Sequence, residues 1–169
     1  MKVVGFIAAL AVLLAPHAAC ALCIYKGEDN AKTTIDREFK DSKWVVKAKV
    51  LTARDHASED ESWTIYRIEV LHAFKGNPAT RLRFFTYRDS GGFYMDRPRE
   101  SLPSGHDIGG DYLLFLNPVR AHDGFPSAAR GAVLVNYSCG LSGPWARVAQ
   151  SDRSQLSALG DAHKGSSRP

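Results

Sequence analysis

Cys20 and Cys23 stand three residues apart in the stretch HAACALCIYKG, and Cys139 is the last of the chain's three cysteines. A C-x-x-C pair can hold a metal or exchange thiols for a disulfide. The redox form needs a helix start in a thioredoxin-like βαβ setting, and neither surrounds this pair. What precedes it is Lys2 and the apolar run VVGFIAALAVLLA, broken by Pro16. One basic residue, a short apolar core and small residues form the pattern of a secretory signal peptide. Ala19 and Ala21 put small side chains at the −3 and −1 positions of a cut after residue 21, so the mature chain is expected to start at Leu22. Cys20 is then discarded and the C-x-x-C becomes an accident of the cleavage site. A rival cut after Ala19 would make Cys20 the first residue, as lipid anchoring requires, but it places His17 where a lipoprotein wants an apolar side chain. The two cysteines left in an exported chain are most simply one disulfide, since that compartment is oxidising.

Other reactive side chains do not assemble into a known constellation. Asp89-Ser90-Gly91-Gly92 resembles a serine nucleophile loop, but Arg88 precedes it where glycine belongs, and the chain is too short for the double barrel that carries such a triad. It reads as a turn. His56, His72, His106, His122 and His163 are scattered, and none forms an HxxxH or HExxH pair. His106 and Asp107 are adjacent but make only two candidate ligands, and they read as solvated loop residues. His72 falls at an inward position and reads as a hydrogen-bonded barrel residue. We therefore expect no catalytic residue, metal or cofactor. The formal net charge is +4, with no basic run longer than two residues, which leaves no phosphate-tracking stripe and argues against nucleic acid. No apolar run approaches the ~20 residues of a transmembrane helix.

The elements that must position these residues follow from periodicity. TTIDREFKDSKW (33–44) predicts a short helix, with Thr33 or Thr34 as cap and Ile35 and Phe39 on one face. KWVVKAKVL (43–51) alternates as a strand with Trp44, Val46, Ala48 and Val50 inward. SWTIYRIEVLHAFKG (62–76) puts Tyr66, Ile68, Val70 and Phe74 on one side, and RLRFFTY (81–87) puts Leu82 and Phe84 inward. Residues 88–109 are rich in turn residues and predict a long loop. GDYLLFLNP (110–118) is nearly all apolar, as in a central strand covered on both faces. AVLVNYS (132–138) makes a fifth strand. The tail starts as a helix through Leu156 and Leu159 and then frays, which sets domains of 1–21 (signal peptide), 22–150 (barrel) and 151–169 (helix start and polar tail). Five strands with a helix near each end predict a mainly β chain folded as a small closed or nearly closed barrel, compatible with the five-stranded OB-fold barrel, and periodicity alone does not separate this from a small sandwich.

The ordered set resembles the netrin-like, or tissue-inhibitor-of-metalloproteinases-like (TIMP-like), OB-fold domain from Cys23 to about Trp145. The residues that carry the likeness are a cysteine at the mature N-terminus, a short helix running into SKWVVKAKVLTA, then YRIEVLHAFKGN, GGDYLLFL, and NYSCGLSGPW with its cysteine after the last barrel strand. The resemblance implies that Cys23 pairs with Cys139 and ties the N-terminal segment to the end of strand five. It also implies a non-enzymatic binding module that meets a protein partner, a protease among the candidates, along the ridge Leu22, Cys23, Ile24 and Tyr25. In the animal inhibitors the chain starts Cys-x-Cys, and the first α-amino group chelates the protease zinc. Here Leu22 precedes Cys23, so the nitrogen of Cys23 is an amide and that chelate is lost. The loop aromatics Phe93, Tyr94 and Phe125, with Arg88, Arg97, Arg99 and Arg120, suggest a second surface for an oligosaccharide or matrix glycan, unless they cap the barrel ends.

Overall fold

The computed structural model describes residues 23–89, 91–98, 101, 103, 105–120 and 124–166; residues 1–21, expected to be a signal peptide, and Leu22, Ser90, Arg99 and His122 lie outside them. The chain begins with a hairpin of β1 (Ile24–Tyr25) and β2 (Glu28–Asp29). Its turn residues Lys26 and Gly27 both take positive φ, 52° and 83°, as a tight turn matched to strand twist requires. Helix α1 (Ile35–Asp41) is shorter than predicted, because Thr34 caps it by accepting the Arg37 N–H at 3.3 Å and Ser42 already leaves helical geometry.

The barrel strands are β3 (Trp44–Ala57), β4 (Ser62–Lys75), β5 (Arg81–Tyr87), β6 (Asp111–Pro118) and β7 (Val133–Val135). β3, β4 and β5 form an antiparallel meander. β7 lies parallel to β5 and antiparallel to β6, and β6 returns to pair with β3. The sheet thus closes on itself as a five-stranded mixed barrel in OB-like order. A short β8 (Gly143–Pro144) adds to β6, and α2 (Gln150–Ser166) flanks the outside.

Alternation explains the interior: Val46, Ala48, Val50, Tyr66, Ile68, Phe84, Tyr112, Leu114 and Leu116 form one buried cluster. β6 is buried at five successive residues, because Leu113 and Phe115 face a second core built by Ile35, Phe39, Val45, Phe74 and Leu156 under the two helices. Three register shifts between β3 and β4 change the facing along both strands, as bulges do. Val70 and Ala73 both pack on the interior, while Phe74 turns outward to the helices. The uninterrupted alternation expected for 62–76 therefore fails at its end. His72 is exposed and lies edge-on to Phe74 at 4.6 Å, not inside the barrel.

Two other expectations change. The fifth strand stops at Val135; Asn136 still donates to the Phe115 carbonyl at 2.7 Å, but Tyr137 is drawn against Tyr25. The C-terminal helix persists to Ser166 instead of fraying after Leu159. Leu156 is fully buried against the second core, and packing of an apolar face, more than propensity, is what holds a surface helix.

Candidate functional site

The N-terminal ridge is built from its disulfide outward. Cys23 and Cys139 are bonded, with Cα atoms 6.0 Å apart across 116 residues of sequence. Beside the bond, Ile24 is 55% exposed and Leu141 37% exposed, two of only four large hydrophobic side chains exposed among the described residues. Leu141 also borders a 320 Å3 pocket with Ile35, Leu113 and Val148. An apolar edge next to an apolar pocket is unusual on a surface that otherwise buries such groups.

Tyr25 is the anchor of this ridge, not part of its surface. It is buried, with its ring 4.8 Å from that of Tyr137 and 4.8 Å from the Arg37 guanidinium. Its hydroxyl donates to Asp41 Oδ2 at 2.5 Å and accepts from Asn136 Nδ2 at 3.0 Å. Burial, reinforced by Asp41, pushes the Tyr25 hydroxyl above its ordinary pKa. Lys26, at 2.7 Å, and then Tyr25 hold the Asp41 carboxyl below its own. Asn136 in turn accepts from Asn117 Nδ2 at 2.9 Å, and Asn117 Oδ1 receives the Lys43 N–H at 2.8 Å. The terminal hairpin is thus wired into the barrel.

Glu38 supports the other half of the ridge. It projects from α1 with 0% exposure. Its Oε1 accepts the Leu141 N–H at 2.7 Å and a hydrogen bond from Thr33, whereas Oε2 is buried without a partner. Gly140 passes so close that a Cβ there would lie 2.3 Å from Oε1. Desolvation raises the pKa of this carboxyl.

A second polar cluster closes one mouth of the barrel. Tyr66, 0% exposed, donates its hydroxyl to Asp96 Oδ1 at 3.0 Å. Arg88 grips the same carboxylate with two donors, at 2.6 and 3.3 Å. His106 places Nδ1 3.0 Å from Asp96 and Nε2 3.0 Å from Asp55. Burial pushes both aspartates up, but the hydrogen bonds and charges of Arg88, His106, Tyr66 and Thr64 outweigh it, and both carboxyls end below their ordinary range. Every member engages another: Tyr66 of β4 and Asp55 of β3 tie Asp96 and His106 to the barrel, and these two residues are bridged to each other. His106 is therefore no solvated loop residue, as its neighbours in sequence suggested. The legible signal was Tyr66: a phenol at a buried strand position must find a partner for its hydroxyl. Which loop supplied Asp96 was not legible, since the contact spans 30 residues. Asp107 is also engaged, accepting from the Tyr112 hydroxyl at 3.0 Å.

The predicted loop aromatics separate. Phe93 is 8% exposed and plugs the barrel interior beside Phe84 and Met95. Tyr94 is half-buried under the Arg88 guanidinium, 4.9 Å from its ring, and donates to the Asp89 carbonyl. Phe125 lies elsewhere, on the outer face with Phe85 and Tyr87. Among the described residues no group of three or more His, Cys, Asp or Glu side chains is placed to hold a metal ion, and no helix is long and apolar enough to cross a membrane. No family model matches the chain, and no curated protein matches it.

Proposed function

We propose that the protein is an exported, disulfide-tied, non-enzymatic binding module of the netrin-like or TIMP-like kind, which meets a protein partner along its N-terminal ridge. The observation that carries the reading is the Cys23–Cys139 clamp, which ties exposed Ile24, next to Cys23, to the segment that carries exposed Leu141 at the rim of a pocket. A rigid apolar edge binds well because little entropy is lost when a partner covers it. The mouth cluster supports a non-enzymatic role: its acid, base and phenol groups bond one another. A protease is the first partner class to test, with binding through ridge contacts and not through a terminal cysteine chelate.

The experiment is a titration of zinc metallopeptidases with the oxidised protein, reading residual peptidase activity. Ile24→Asp and Leu141→Asp are expected to weaken inhibition by about tenfold or more each, equivalent to about 1.4 kcal/mol. Leu71→Asp, an exposed apolar site on β4 away from the disulfide, is expected to leave it unchanged. No inhibition of any metallopeptidase, or equal loss in all three variants, would overturn the protease reading.

A further inference from the structure

The barrel is closed between β5 and β7 by a single rung, Phe84↔Val133. Register shows what is left over. The Arg88 N–H bonds the Ser62 carbonyl at 2.7 Å, so in the β4–β5 ladder the even residues of β5 face β4, and the peptide groups of Phe85 and Tyr87 face β7. On the other side, Val119 donates to Ala132 and Asn136 to Phe115, so the peptide groups of Val133 and Val135 face β5. The next parallel rung would join Val135 to Phe85 and Tyr87. It is not made; a 220 Å3 cleft lies there, walled by Phe85, Tyr87, Phe125, Leu134 and Val135, with Asp89 as its charged residue.

A second hollow shares Tyr87 and Asp89 with the cleft and adds Asp60, Glu61 and Arg88. None of these three carboxylates has an ion-pair partner among the described residues, whereas Arg88 beside them is held by Asp96 and Asp55. Burial, then Glu61 and Asp89, raises the Tyr87 hydroxyl pKa, which places both acids near its ring.

We infer that the β5–β7 seam is a binding slot for an extended, basic peptide segment of a partner protein. Its backbone would take the missing rung on Tyr87 and Val135, an apolar side chain would pack in the cleft against the stacked rings of Tyr87 and Phe125, and a flanking Lys or Arg would meet Asp89, Glu61 and Asp60. Paired strand edges suit an extended chain, and the acidic track repels the phosphates of a nucleic acid. The cleft reaches Ser138, next to Cys139, but its test reads peptide binding at Tyr87 and Val135 and does not depend on the ridge reading.

The test uses the full oxidised protein and the blocked hexapeptide acetyl-Lys-Val-Lys-Phe-Lys-Val-amide. Titration followed by amide NMR is expected to show saturable binding with shifts at the Tyr87 and Val135 amides and slowed hydrogen exchange at both. The same peptide N-methylated at its central residues cannot form the rungs and is expected to bind about tenfold more weakly. Phe125→Ala and Asp89→Asn, both at exposed or half-buried positions, are expected to weaken the parent peptide by a similar factor. Absence of saturable binding, equal binding of the methylated peptide, or shifts confined to carboxylate neighbours with none at Tyr87 and Val135 would overturn the proposal. A slot filled by a neutral oligosaccharide in preference to the peptide would overturn it too.

Discussion

Glu38 and the mouth aspartates carry opposite signs of the same linkage. The Glu38 carboxyl is raised by desolvation, so folding favours its protonated form. Any stability it contributes is present below its unfolded pKa and is lost as pH rises through the folded one. Glu38→Gln keeps an oxygen for the Leu141 N–H and removes a buried charge. The variant is expected to unfold at a higher temperature than the parent at pH 7, with the gain shrinking toward about pH 4, where the parent carboxyl is itself neutral. Thermal unfolding at the two pH values checks this. Asp96 behaves the other way. Its pKa is depressed by Arg88, His106 and Tyr66 in spite of burial, so its contribution is present above about pH 4 and is lost as pH falls through the depressed folded value. Asp96→Asn is expected to lower the urea midpoint at pH 7 and to flatten the loss of stability between about pH 4 and pH 2. An unchanged acid slope would remove the mouth cluster from the account.

At the scale of elements, the disulfide and α2 make the sharpest claims. A bond that spans 116 residues limits the unfolded chain by about 5 kcal/mol in the entropic treatment, an upper figure for real proteins. Cys23→Ser with Cys139→Ser is expected to cost several kcal/mol of that in chemical denaturation. It should also expose the Asn30 amide, which bonds the Cys23 carbonyl, to fast hydrogen exchange. In α2, Gly160 sits where a Cβ would lie 2.8 Å from the Phe74 carbonyl oxygen. Alanine gains about 1 kcal/mol over glycine in an ordinary helix interior. Here Gly160→Ala is expected to lower the thermal midpoint instead, because the clash is with backbone that cannot swing aside. Helix and sheet approach closely at this point, and a stabilised variant would mean that α2 docks differently.

At the scale of the whole molecule, the barrel was legible in sequence because its signals are local. Alternation in KWVVKAKVL and RLRFFTY, and the apolar run of DYLLF, announce strands and their burial before any partner is known. The pairing Cys23–Cys139 followed from the two cysteines left by the expected cut and again from the resemblance, and the structure contains it. What was hidden depends on contacts between distant segments. The β3–β4 register shifts that turn His72 out and Phe74 toward the helices have no marker in SWTIYRIEVLHAFK. Nothing in TTIDREFKDSKW marks Glu38 for burial, which depends on distant residues: Gly140 lies against its carboxyl and the Leu141 N–H bonds it. Phe93, in a turn-rich stretch, was open to two readings, a binding rim or a cap on the barrel end, and its place beside Phe84 in the interior fits the second. The seam between β5 and β7 exists because β7 pairs with β5 at Val133 alone while it stays on β6 through Asn136, which a predicted strand over 132–138 conceals.

The ridge reading rests on one claim above the others: that Leu22 to Tyr25 is the amino terminus of an exported chain, clamped to the barrel through Cys23. Intact mass spectrometry of the protein recovered after export, with alkylation before and after reduction, tests it directly. The account predicts a chain that starts at Leu22, resists alkylation until reduced, and then takes up one alkyl group at each of Cys23 and Cys139. A chain that retains Met1, or one whose cysteines alkylate without reduction, would contradict it. The first would leave Ile24 behind the whole leader, and the second would leave the ridge without its clamp.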